Sequence, residues 1–169
     1  MADDPRRLLV EGVGAAPLMQ VATVGHTGFP AICHVWFQSG FEPDRLYFLS
    51  REDREHAGNL RNDPRVAASI ALEVPAGLGD RVRGVTLSGL ARELPDPALP
   101  AAAAAFIARW PRAAGALTPP TPPDRYPTAG NGGVAIQARS RLYEIAVAEW
   151  VLFDEVNFPD QPRICLPPR

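Results

Sequence analysis

Residues 18–49 read LMQVATVGHTGFPAICHVWFQSGFEPDRLYFL. Leu18, Met19, Val21, Ala22 and Val24 predict a strand, and Gly25-His26-Thr27-Gly28 supplies the turn that ends it. Ile32 through Phe37, rich in β-branched and aromatic residues, predicts a second strand. Ser39-Gly40 and Pro43-Asp44 then turn the chain into a third, Leu46 to Leu49. Hairpin-sized connections between consecutive strands mean antiparallel pairing, because a parallel pair needs a long crossover.

Outward from this meander the signals alternate. Before it, Leu8, Leu9 and Val13 recur at helical spacing, which predicts a short helix over Asp4 to Val13 ended by Gly14. After it, a helix is expected from Arg54 to Asn62, with Asp53 as N-cap and Pro64 beyond its end. Arg65 to Glu73 alternates poorly and reads as a buried strand. Val82 to Leu94 reads as another, with Val85, Leu87 and Leu90 as core contacts. Between them Pro75 to Asp80 is a loop. The alanine run within Pro97 to Trp110 predicts a helix that Pro111 stops. Residues 112–133 are rich in proline and glycine and read as a surface excursion, with Val134 to Ala138 and Leu142 to Phe153 as closing strands. The expected fold is a single α+β domain over residues 1–169. It is built on an antiparallel barrel of about six strands with short inserted helices.

Composition narrows the chemistry. The 169 residues carry 17 basic and 19 acidic side chains, a net charge of −2, and every basic residue is arginine. Near-neutral charge argues against a nucleic-acid binder. Without lysine, side-chain Schiff-base chemistry is excluded, and a bound phosphate falls to arginine, histidine or backbone N–H groups. Cys33 and Cys165 lie far apart, which indicates two reduced thiols rather than a disulfide framework and favours a cytoplasmic setting. The early apolar run Leu8-Leu9-Val10 is too short for a signal peptide, and no stretch approaches the ~20 apolar residues of a membrane span. His26, His34 and His56 have no metal-ligand spacing, so no metal site is expected.

Several pieces in order carry a resemblance. They are Val21-Ala22-Thr23-Val24, Gly28-Phe29-Pro30, Val35-Trp36-Phe37 and Leu46-Tyr47-Phe48-Leu49-Ser50, then Asn59 through Ala67 and Ser88-Gly89-Leu90-Ala91-Arg92-Glu93. Together they resemble the pyridoxamine 5′-phosphate oxidase-like superfamily of FMN-binding split barrels. The resemblance implies a homodimer with FMN in a cleft between subunits and an oxidoreductase acting on a small molecule. The ring would lie along His34, Val35 and Trp36. The phosphate would sit near Ser50, Arg51, Arg54, His56 and Asn59. Where family members place an arginine–lysine pair, this chain has Glu55 and His56, leaving Arg51 and Arg54 as the nearby cations. The arginine-rich terminal segment of true pyridoxamine-phosphate oxidases has no counterpart in Asn157 to Arg169.

Strand alternation sends His34 and Trp36 to one face and Val35 and Phe37 to the other. If the latter pair forms the core, His34 faces the cleft and is the nearest candidate for a catalytic acid or base. A deazaflavin in the same cleft is the alternative cofactor. A non-catalytic flavin- or haem-binding split barrel is the alternative from another class. Cys33, Trp110 and Trp150 read as packing residues.

Overall fold

The computed structural model describes residues 4–95, 99–117 and 139–169. Seven strands are seen among them: β1 (Leu18–Val24), β2 (Pro30–Phe41), β3 (Asp44–Arg51), β4 (Arg65–Ala71), β5 (Arg83–Glu93), β6 (Ser140–Asp154) and β7 (Arg163–Leu166). All pairings are antiparallel. The order β3-β2-β1-β4-β5-β6 closes on itself because β6 also pairs β3, so the first six strands form a barrel. The α+β barrel read from the sequence is the observed architecture.

The fifteen residues of β6 make the closure possible. Its first half pairs β3, from Arg51↔Ser140 to Arg45↔Ala146. Farther along, β7 takes over from β3, from Trp150↔Leu166 to Phe153↔Arg163. A bulge between Ser88 and Gly89 resets β6 against β5. It turns the buried set of β6 from Ile145 and Val147 to Trp150 and Leu152. The bulge demands glycine at position 89, where an added Cβ would come within 2.4 Å of the Ala146 carbonyl oxygen.

The barrel interior holds Met19, Val21, Val35, Phe37, Leu46, Phe48, Ile70, Val85, Ile145, Trp150 and Leu152, all nearly inaccessible to water. Burying each of these large side chains contributes about 1.5–3 kcal/mol before entropy is counted. Helix α1 (Pro5–Ala15), capped by the Asp4 carboxylate on the Arg6 N–H, adds Leu9 and Val13 to this core. Helix α2 (Glu55–Asn62) adds Ala57 and Leu60. A second apolar cluster joins Leu94, Phe106, Ala113 and Leu142. It links α3 (Leu99–Arg109) and the following 3-10 turn, Pro111–Ala113, to β6. A four-residue helix α4 (Ala114–Leu117) follows.

Several expectations change. Asp53 does not cap α2: the cap residue is Arg54, with no side-chain hydrogen bond, because the Asp53 carboxylate is taken by Arg51. Strand β4 is not buried throughout; it alternates, with Val66, Ala68 and Ile70 inside and Arg65, Ala67, Ser69 and Ala71 outside. Leu90 is no core contact, since Val85, Leu87, Gly89 and Ala91 hold the inward parity and Leu90 stays 54% exposed. The excursion expected from residue 112 begins as helical turns through Leu117. Its remainder, and the strand expected over 134–138, lie outside the described residues. No helix among the described residues is long and apolar enough to cross a membrane.

Candidate functional site

Strands β2 and β3 are hydrogen-bonded from Phe41↔Asp44 to Phe37↔Phe48 and then part. Beyond that point β2 stays with β1, from Trp36↔Leu18 to Pro30↔Val24, while β3 turns to β6. Among the described residues no strand pairs the outer edge of Cys33–Trp36, so that backbone edge is open to a ligand. The parting strands enclose a cleft of about 570 Å³, lined by Cys33, His34, Val35, Trp36, Leu49, Ser50, Arg51, Arg54, Glu55, His56 and Ser140.

Seven of the eight binding residues expected from the sequence therefore share one cleft; Asn59 does not. Its side chain is buried under α2 and donates to Thr23 Oγ1 at 3.0 Å, which fastens the helix to β1. Val35 and Phe37 point into the core, and His34 and Trp36 are exposed. With its side chain buried, Val35 presents backbone to the cleft. Trp36 meets Trp110 edge-on at 4.9 Å between ring centres. The Trp110 indole N–H donates to the Phe37 carbonyl at 2.8 Å. Beside it, Arg109 donates to the carbonyls of Gly14 and Ala16 at 2.6 and 2.7 Å. The aromatic wall is thus braced from α1 and α3. Trp110 is the packing residue that the sequence suggested, and what it packs is a cleft residue.

At the other end, Ser50 Oγ lies 2.6 Å from His56 Nε2. Burial, and then the Arg54 charge, hold His56 below its ordinary imidazole pKa, with Glu55 pulling the other way. At neutral pH the ring is uncharged. Arg51, expected as a phosphate ligand, forks onto Asp53 and is occupied. That contact raises the arginine's pKa and lowers the carboxyl's. The Glu52 carboxylate accepts from the Arg139 N–H and from Arg141 Nε, which holds its pKa down. Arg54 has no side-chain hydrogen bond or ion pair among the described residues. The first-turn N–H groups of α2 receive no side-chain cap. This end of the cleft offers one guanidinium unpaired among the described residues, a histidine–serine pair and a helix N-terminus, a set suited to an anion.

Ser140 was missed. It reaches the cleft through the Arg51↔Ser140 pairing, which no local pattern in either segment announces. No group of three or more His, Cys, Asp or Glu that could hold a metal ion occurs among the described residues. A second concavity, of about 390 Å³, lies on the outer sheet face over Gln20, Ala22, Ile32, Ala67, Ser69, Thr86 and Ser88. Along β2, Ile32 of this face continues into His34 and Trp36 of the cleft.

A profile of the family described as pyridoxamine 5′-phosphate oxidase matches residues 7–131. No curated protein matches the sequence. Among solved structures, the chain is similar to a protein of unknown function from Agrobacterium tumefaciens, at 23% identity and TM-score 0.65. That match covers 94% of this chain and 59% of the other. It is also similar to a heme binding protein from Mycobacterium smegmatis, at 16% identity and TM-score 0.72, covering 99% of this chain and 59% of that one. The heme storage protein HutZ of Vibrio cholerae matches at 18% identity and TM-score 0.63, covering 87% and 91%. The chain thus spans little more than half the length of two of these three, and at such identities the likeness is one of fold.

Proposed function

We propose, on the premise that the chain belongs to the pyridoxamine 5′-phosphate oxidase family, that it is a homodimeric FMN-dependent oxidoreductase acting on a small molecule. The observation that carries this reading is the cleft where β2 and β3 part. It has an open backbone edge and an exposed indole at one end and anion donors at the other. Its volume falls in the range of cofactor sites, roughly 300–1,000 Å³. His34, the Val35 backbone and Trp36 would line the ring. Arg54, Ser50, His56 and the first N–H groups of α2 would hold the phosphate. Arg51 would join them only on release from Asp53. When bound, FMN supplies hydride or electron transfer, and the protein supplies orientation and electrostatics.

The dimer is supported by the outer sheet face. Ala22, Ala67, Ser69 and Ser88 are small enough for a second sheet to approach closely. Ile32 at 69% and Leu90 at 54% exposure are costly to leave in water. A second copy on this face would border the cleft through Trp36.

A haem-binding reading has one observation of its own. His34 is exposed at the cleft, without a partner among the described residues, and imidazole is a common axial ligand to haem iron. One experiment separates the two. The protein is incubated with FMN or with haemin, and the absorbance of the protein peak is read after size exclusion. Flavin bands travelling at dimer mass are expected. A Soret band with no retained flavin would replace the FMN reading.

A further inference from the structure

We propose that Ser50 and His56 form a proton-linked selector for the phosphate end of the ligand, taking up a proton when a phosphomonoester enters the cleft. The proposal rests on the FMN reading for the identity of the ligand but not for the chemistry of the pair.

A serine hydroxyl has one hydrogen, and a neutral imidazole has one nitrogen that accepts. At 2.6 Å the two side chains share a single hydrogen bond whose direction follows the ring's tautomer, and the hydroxyl's other acceptor, the Arg51 carbonyl, lies farther off at 3.4 Å. With His56 neutral and accepting at Nε2, that hydrogen is the serine's own, and the Ser50 oxygen turns only lone pairs toward the cleft. An anion is repelled by them. Once Nε2 carries a proton it donates to Ser50 Oγ, and the serine hydrogen is released to point at a ligand. One proton therefore changes Ser50 from acceptor to donor and adds a positive charge behind it.

The surroundings set when this happens. From its own helix His56 meets Glu55, and from the cap Arg54; these two charges oppose each other. From β3 come Ser50, the Phe48 ring at 6.5 Å, and Arg51, whose charge is matched by Asp53. Across the cleft β2 brings Cys33 and His34, and β6 brings Ser140. The Glu55 and Arg54 charges oppose each other at the ring, so the free site has little call for an imidazolium. A phosphate dianion changes that balance, since an opposite charge within about 4–6 Å raises a histidine pKa by roughly 1–3 units. Linkage then requires that affinity for the phosphomonoester fall as pH rises between the free and bound values for His56. An unphosphorylated flavin has no such dependence. The preference of the Ser50–His56 pair for phosphate is therefore strongest in mildly acidic solution.

The test is an NMR titration of the histidine ring protons, with His56 assigned from His56→Gln and inorganic phosphate as the probe. The expected result is a His56 pKa that starts below 6.5 and climbs by about one unit in saturating phosphate. The climb should shrink in Ser50→Ala. The wild-type titration needs no variant to fold. Calorimetry of FMN and riboflavin in two buffers of different ionisation enthalpy gives the second readout. FMN should draw protons from solution near neutral pH, and riboflavin should draw none. A His56 pKa indifferent to phosphate overturns the selector. If FMN binds more tightly than riboflavin but without proton uptake, the selector falls and the flavin reading stands. If phosphate raises the His56 pKa but no flavin binds, the selector stands and the flavin reading falls.

Discussion

The two ends of β3 treat charge in opposite ways. At its start Asp44 is fully buried and fully engaged. Its carboxylate takes Arg6 Nη2 at 2.5 Å, Trp150 Nε1 at 2.7 Å and the Arg169 N–H at 3.3 Å, and its own N–H goes to the Arg169 carbonyl. Helix α1, β6 and the last described residue meet on one side chain. At its end Ser50 and Arg51 open onto a cleft, the neighbouring Arg54 is exposed, and His56 is kept uncharged. Six residues of strand, about 20 Å, separate the two. A buried carboxylate with three donors belongs to the fold. An exposed guanidinium beside an uncapped helix N-terminus is available to a ligand. The contrast separates structural charge from charge open to a ligand better than composition does, since arginine and carboxylate stand at both ends.

The comparison can be broken first at its buried end. Asp44→Ala leaves Arg6 buried and unpaired and should lower the unfolding free energy by about 3–5 kcal/mol in urea denaturation. A loss under about 1 kcal/mol would mean the cluster is ornament. At the open end, Arg54→Ala should weaken FMN binding by about 10–100-fold, the worth of one charge-assisted contact, with riboflavin binding unchanged. Its stability should move by no more than about 0.5 kcal/mol. Between the extremes lies Trp110→Phe, which keeps a ring against Trp36 but loses the bond to the Phe37 carbonyl. About 0.5–1.5 kcal/mol of stability should go with it, together with a change in Trp36 fluorescence.

The smallest effect is that of pH on the free protein. His56 has a lower pKa folded than unfolded, so the unfolded chain binds more protons in the window just below pH 6.5. Stability contributed by neutral His56 is present above that window and declines as pH falls through it. Melting curves at successive pH values should show the decline in wild type and its loss in His56→Gln. Asp63, held down to about 2 by Arg65, works the same way lower on the scale: its contribution is present above pH 4 and lost as pH falls toward 2.

What the sequence disclosed follows from what is local. Strands β1 to β3 were legible because alternation and turn residues lie within a few positions of one another. The strand β7 was not, being four residues set among Pro159, Pro162 and Pro167, where no period can develop. Leu90 misled because leucine at an exposed strand position looks like core, while the inward places beside it are held by Gly89 and Ala91. For the site, His34–Trp36 and Ser50–His56 are two short segments, each readable alone. Their joining, and the arrival of Ser140 and Trp110, depend on pairings and helix packing across most of the chain. Asp53 looked like a cap because its type and place were right, but Arg51 two residues earlier competes for the same oxygens.

The central claim is that the cleft between β2 and β3 holds a flavin by its phosphate, and the most direct measurement is a side-by-side fluorescence titration with FMN and riboflavin at pH 6.5. Saturable binding of both is expected, with FMN at least about tenfold tighter, the worth of one charge-assisted hydrogen bond. Equal affinities, or binding of neither, would contradict it.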